Sequence, residues 1–372
     1  MKHQRENRIR TLLFCILIFL ALYFFMAKNE SSFPYKTRIL LIGGSITEGA
    51  GASSYSNSYA GLITEWMKEN LSGSIKVKNI SVGGTGSDYA AFRIDHDLHG
   101  FVPDVVLYEF AVNDDSQDFD YILSHINILL TKLKIINPEI TVISVITTKK
   151  AYGEYYDGNQ LPSSVANHMQ VAEINGIPVI HVGEYFWDYV EKRGIDSTQL
   201  LPDGVHPNDA GHQIYAEAII LYLESHDLLE TVQPQSTQYD ESLPKAIMAD
   251  LTTAESVGCK KRKNIQSDTS LNCSAGDSFS FEFSGPTLGF VRWMADDGGR
   301  LVCFIDGEKE RTVDFWDQYS IFYNRQAPIF LARNLETGNH SITCTVTEEK
   351  PMLENIGVSK GNTVNILFML TQ

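Results

Sequence analysis

From Thr37 to about Leu229 the chain alternates between two hydrophobic periodicities. Short, nearly all-apolar runs rich in β-branched residues occupy 38–42, 75–80, 105–110, 140–146 and 178–181. Strands covered on both faces read this way. Between them, apolar residues recur at helical spacing over 59–69, 121–136, 163–175 and 210–229, and the second of these stops at Asn137-Pro138. The alternation predicts an α/β domain with a parallel, doubly wound sheet and helices on both faces.

The periodicity is lost over 230–245, which reads as a linker. Beyond it, runs of period two appear at 278–283, 289–293, 300–305, 311–315, 329–332 and 340–346. Turn signals such as Asp296-Asp297-Gly298-Gly299, Asp306-Gly307 and Thr337-Gly338-Asn339 separate them. Residues 246–372 are therefore expected to form an all-β sandwich. A chain of 372 residues is too long for one ordinary core, which agrees with two domains.

The N-terminus follows a different pattern. Lys2, Arg5, Arg8 and Arg10 form a basic tail at 1–10 and precede an uncharged apolar stretch at 11–27. Seventeen residues reach ~25 Å as a helix, near the lower limit for spanning a bilayer. The basic flank keeps that end in the cytoplasm. No small-residue cleavage site follows Phe24-Phe25-Met26-Ala27, so we expect an uncleaved transmembrane signal-anchor, with 28–36 as a polar tether. The alternative is a signal peptide, cleaved to release a secreted protein. Both readings export the remainder.

The formal net charge of −16 argues against nucleic acid or an anionic membrane surface as partner. Export also bears on Cys259, Cys273, Cys303 and Cys344, which all lie in the last third. Disulfides and buried free thiols both remain open for them. Metal binding is disfavoured by the long spacings and the lack of a C-x-x-C.

Candidate chemistry gathers at the strand ends. Gly43-Gly44-Ser45-Ile46-Thr47 follows the first strand run. Serine before a helix is ordinarily an N-cap. Here paired glycines leave its hydroxyl uncovered, at the carboxyl edge of the sheet where α/β proteins bind ligands. The motif is not G-x-S-x-G, a Walker loop or G-x-G-x-x-G. Far downstream, Asp203-Gly204-Val205-His206-Pro207 places a carboxylate three residues before a histidine. A serine needs a base to take its proton, and an imidazole base needs a carboxylate to fix its tautomer. His212, in the last helix, and His181, at a strand end, compete less well for that role. Acyl transfer also requires donors for an oxyanion. The loop at Val82-Gly83-Gly84-Thr85 and the side chain of Asn113 could supply them.

Ser45, Gly84, Asn113 and His206, in that order, resemble the four blocks of the SGNH (GDSL-like) hydrolase superfamily, over about 37–228. Asp203 to Asn208 resembles its last block closely. The resemblance implies a flavodoxin-like fold with Ser45 as nucleophile, His206 as general base and Asp203 as its orienting partner. The Ser45 and Gly84 amides and the Asn113 side chain would form the oxyanion hole, with Gly83 still open as a donor. It implies an esterase, acting on acyl and especially acetyl esters, such as those on carbohydrates, with no cofactor or metal. Gly44 stands where the family usually has Asp, and Ala111 where it usually has Gly. An O-acyltransferase with the same site and a non-catalytic glycan-binding protein are the competing readings. In the second domain, Trp293, Phe315, Trp316, Tyr319 and Tyr323 read as sandwich core and cross-strand pairs, or alternatively as a sugar-stacking platform. Asp296-Asp297-Gly298-Gly299 reads as a polar hairpin loop rather than a calcium site. The domain loosely resembles an accessory carbohydrate-binding sandwich.

Overall fold

Strand β1 (Lys36–Gly43) organises the first domain because its successive side chains feed two cores. Ile39 and Leu41 enter one, and Leu40 and Ile42 enter the other. The structure, a computed structural model, describes residues 36–226, 245–263 and 268–372. Around β1 lie β2 (Ser74–Asn79), β3 (Val105–Glu109), β4 (Thr141–Val145) and β5 (Val179–Ile180). They form one five-stranded sheet in the order β2-β1-β3-β4-β5, with every pairing parallel. This is the flavodoxin order, and it reverses at β1, between β2 and β3, where such sheets open a ligand crevice at the strand carboxyl ends.

Among the described residues eight α-helices accompany these strands: α1 (Ser45–Glu48), α2 (Tyr59–Asn70), α3 (Ser87–Leu98), α4 (Phe119–Ile136), α5 (Gly153–Asp157) and α6 (Ser163–Ile174) connect them, and α7 (Val182–Arg193) and α8 (Asp209–Ser225) follow the last. Ile63 and Met67 of α2, Phe186 of α7 and Ile219 of α8 fill the first core. Phe92 of α3 and Ile126 and Leu129 of α4 fill the second. Three of these helices, α3, α5 and α7, are absent from the sequence reading.

The second domain is built wholly of strands among the described residues. They are β6 (Ile247–Ala249), β7 (Glu255–Val257), β8 (Lys260–Lys263), β9 (Thr269–Cys273), β10 (Ser278–Ser284), β11 (Leu288–Met294) and β12 (Arg300–Ile305). Then come β13 (Lys309–Asp314), β14 (Arg325–Ala332), β15 (Asn339–Val346), β16 (Met352–Leu353), β17 (Gly357–Val358) and β18 (Val364–Thr371). One sheet runs β13-β12-β15-β10-β7 and the other β14-β11-β18-β9-β8, with β6 also paired to β18. Alternate residues of both sheets, such as Phe279, Phe281, Phe290 and Ile366, meet in a third core. The cysteines pair as Cys259–Cys273, which ties β9 to the start of β8, and Cys303–Cys344, which face each other across β12 and β15.

The two domains share a core. Val291, Phe368 and Leu370 of the sandwich are buried with the α3 and α4 residues. The Phe92 and Phe330 rings lie 5.4 Å apart, and those of His96 and Phe368 4.7 Å apart. Polar contacts border this seam: Arg333 Nη2 to Asp88 at 3.2 Å, His96 Nε2 to Asp268 at 3.0 Å and Lys132 Nζ to the Ala246 carbonyl at 2.6 Å. Among the described residues no helix is long and apolar enough to cross a membrane. The expected anchor at 11–27 lies outside them, as does all of the tether except Lys36, which begins β1, and all of the linker except Lys245.

Candidate active site

The chain leaves β1 through Gly43 and Gly44 and turns at once into α1, with Ser45 as its first residue. Gly44 is required by a close approach. A Cβ there would stand 2.0 Å from the Asn113 Oδ1 and 3.1 Å from its Nδ2, so the Asn113 amide lies against the backbone beside Ser45. Gly51 holds the opposite wall. Its φ of +90° suits glycine, and a Cβ would meet the Pro207 carbonyl at 2.3 Å and the His206 Cβ at 3.0 Å. The loop bearing His206 thus packs directly on the loop that follows the Ser45 turn.

His206 Nε2 lies 2.8 Å from Ser45 Oγ, and its Nδ1 lies 2.6 Å from Asp203 Oδ2. The carboxylate can only accept, so Nδ1 carries the proton and Nε2 is left to accept from the Ser45 hydroxyl. Asp203 is itself fixed, because its Oδ1 accepts from the Val205 amide at 2.9 Å and the His206 amide at 2.7 Å. Burial would raise its pKa, but the His206 ring and these amides outweigh it and hold the carboxyl below its ordinary value.

The loop after β2 forms the next side. Val82 N–H donates to the Gly43 carbonyl at 3.1 Å, which pins the loop to the end of β1. The Gly83 backbone hydrogen-bonds the Glu48 carboxylate, whose pKa burial raises against that contact and Arg93. Gly84 follows at φ +72° with nothing within 4 Å of where a Cβ would stand, so it borders open space. Gly83 is held by Glu48, and a Cβ there would stand 3.5 Å from the Ser45 Cβ, so this glycine lies against the nucleophile turn. Of the site residues named from the sequence, Ser45, His206 and Asp203 are brought into direct contact and Asn113 is set against Gly44 beside them, while Gly84 lies at an exposed position one residue beyond Gly83.

Several supporting groups were not foreseen. Glu109, at the end of β3, is fully buried beneath the Ser45 turn. It accepts from Thr47 Oγ1 at 2.9 Å and Thr147 Oγ1 at 2.7 Å, while Thr47 also contacts the Tyr59 hydroxyl at 2.6 Å. Burial pushes the Glu109 carboxyl up, and the two threonine hydroxyls oppose that shift. Asp114 and His168 form a second buried pair, 3.0 Å apart. A lone acid ending an apolar run and the Asn-Asp dipeptide were the only sequence signals for these groups. His212 is structural: it is buried, with Nδ1 taking the Tyr59 amide at 3.2 Å and Nε2 lying 3.1 Å from the Ala50 carbonyl. His181 caps α7 by accepting from the Glu184 amide.

In the second domain, Phe315 and Trp316 are core residues, whereas Trp293, Tyr319 and Tyr323 are exposed. Asp296 pairs with Lys360 at 2.7 Å. Among the described residues no group of three or more His, Cys, Asp or Glu is arranged to hold a metal ion.

Residues 41–214 match the model of the GDSL-like Lipase/Acylhydrolase family. Over the whole length, the chain is similar to the crystal structure of a two-domain esterase (CEX) active on acetylated mannans, at 22% identity, 94% coverage of each chain and a TM-score of 0.75. The same esterase co-crystallised with mannopentaose gives 21% identity, 94% coverage of each chain and a TM-score of 0.73. At these identities the likeness establishes the fold, a parallel sheet with helices followed by an all-β domain. No curated protein matches the chain.

Proposed function

Because this chain carries a GDSL-like lipase/acylhydrolase domain and is an ester hydrolase, we propose that it removes acyl groups, chiefly acetyl, from a carbohydrate through a Ser45–His206–Asp203 relay. The observation that carries this is the unbroken contact from Asp203 to His206 to Ser45, at 2.6 and 2.8 Å.

Ser45 attacks the ester carbonyl while His206 Nε2 takes its proton. Asp203 keeps the imidazole in that tautomer and stabilises its cation. The tetrahedral oxyanion is met by the Ser45 and Gly84 amides and by the Asn113 side chain. His206 then protonates the departing sugar hydroxyl. The same residue activates the water that hydrolyses the acyl-enzyme. The carbohydrate assignment is supported by the whole-length likeness to an esterase active on acetylated mannans. The apolar stretch at 11–27 supports a membrane anchor that holds both domains outside the cytoplasm.

Hydrolysis of p-nitrophenyl acetate tests the assignment. Ser45→Ala and His206→Ala should each lower kcat by ~10⁶-fold. Full activity in Ser45→Ala would sink the assignment. Product analysis on acetylated mannan, with and without a free glycan acceptor, separates hydrolysis from transfer.

A further inference from the structure

We infer that Asp114 and His168 are a buried positioning pair that holds the two oxyanion-donor loops in register. This inference rests on the Ser45 esterase reading above. Asp114 follows Asn113 directly and is almost wholly buried. Its Oδ1 accepts from the Ser87 amide at 3.1 Å, and its Oδ2 lies 3.0 Å from His168 Nε2. A Cβ on Gly86 would stand 2.0 Å from Asp114 Oδ1, so the carboxylate also lies against the Gly86 backbone.

These contacts join three elements. The loop carrying Gly84 is tied at Val82 to the nucleophile strand, at Gly83 to Glu48 and at Ser87 to Asp114. Gly86, the N-cap of α3, has no side chain with which to satisfy the helix's first amides. Asp114 supplies that acceptor from a different loop, at the helix end where a negative charge is favoured. One carboxylate thus caps α3 and also sets the backbone next to Asn113. His168, fully buried on α6, donates from Nε2 and stops the carboxylate from turning. Its Nδ1 has no hydrogen-bond partner among the described residues. A buried, partly satisfied polar pair is a poor way to gain stability, since well-packed apolar residues do at least as well. Its place between the loops of Gly84 and Asn113 gives it a geometric purpose. Oxyanion donors act only when held where the charge develops.

The test compares wild type with Ser45→Ala, His168→Leu, His168→Gln and Asp114→Ala on p-nitrophenyl acetate, with a melting temperature for each. Glutamine can place an N–H donor where His168 has its Nε2. His168→Leu and Asp114→Ala should lower kcat by about 10- to 100-fold with KM within about twofold, a smaller loss than deleting an oxyanion donor outright. His168→Gln should recover kcat to within about fivefold of wild type, since it keeps the donor. If His168→Leu does not fold, Asp114→Ala against His168→Gln decides. The inference is overturned if the leucine variant keeps kcat within about threefold of wild type, if leucine and glutamine are equally impaired, or if the loss lies in KM. An active Ser45→Ala overturns the esterase reading itself. An inactive Ser45→Ala beside a fully active His168→Leu overturns only the positioning pair.

Discussion

Gly44 and Asn113 act as one unit at the scale of single residues. In the proposed mechanism the Asn113 amide is an oxyanion donor, so Asn113→Ala should lower kcat by ~10²- to 10³-fold with little change in KM. Gly44→Ala reaches the same result from the other side, because its methyl would stand 2.0 Å from Asn113 Oδ1 and displace the amide. The double variant should be hardly worse than Asn113→Ala alone, since both changes remove the same group. Steady-state kinetics of the three variants check this, and additive losses would contradict it. In this chain Asn113 occupies the space that a side chain at position 44 would need.

At the scale of elements, the site was more legible than its supports. Glycine pairs and the Asp-x-x-His spacing announce themselves because catalysis needs particular residue types at strand ends. Helix α3 was missed because Arg93, Asp95, His96 and Asp97 interrupt its apolar pattern. Arg93 reads as a surface residue yet is fully buried, with its guanidinium on the Ile80 carbonyl and Asp97. Helix α7 opens with Val182-Gly183 one residue after a two-residue strand, and the residue between them, His181, is not an ordinary capping type. Strand β18 was missed too, although it lies at the centre of its sheet. The cysteine pairing needed the register, since only the β12–β15 ladder sets Cys303 opposite Cys344. That bridge spans 41 residues, and losing it in a Cys303→Ala/Cys344→Ala variant should cost about 4 kcal/mol of stability on chain-entropy grounds. Urea unfolding of the variant against wild type measures the loss.

Over the whole molecule, the domains are joined by a seam that contains a titratable group. His96 lies between Asp97 at 3.0 Å and Asp268 of the sandwich at 3.0 Å, and packs edge-on against Phe368. The Asp97 hydrogen bond raises its pKa, burial opposes the shift, and Asp268 adds to the rise. A group whose folded pKa is raised stabilises fully below its unfolded value and loses that contribution as the pH climbs through the folded one. The seam should therefore be firmest below about pH 6.5 and loosen above it. Melting temperatures across pH for wild type and His96→Gln report this. Relative to the variant, wild type should lose stability as the pH rises, and parallel curves would refute the prediction.

The same seam has a consequence for how the chain is made. The strand that covers α3, β18, is translated after every other strand of both domains. Roughly ten to fifty seconds of ordinary elongation separate the end of α3 from the start of β18. Throughout that interval the hydrolase half can close its own sheet while His96 and its neighbours on α3 still lack the Phe368 side of their cover. A message cut short before β18 would yield a half-finished protein with its crevice complete and a greasy flank exposed. The newborn chain is thus most prone to stick to its neighbours until β18 has been made and seals that flank.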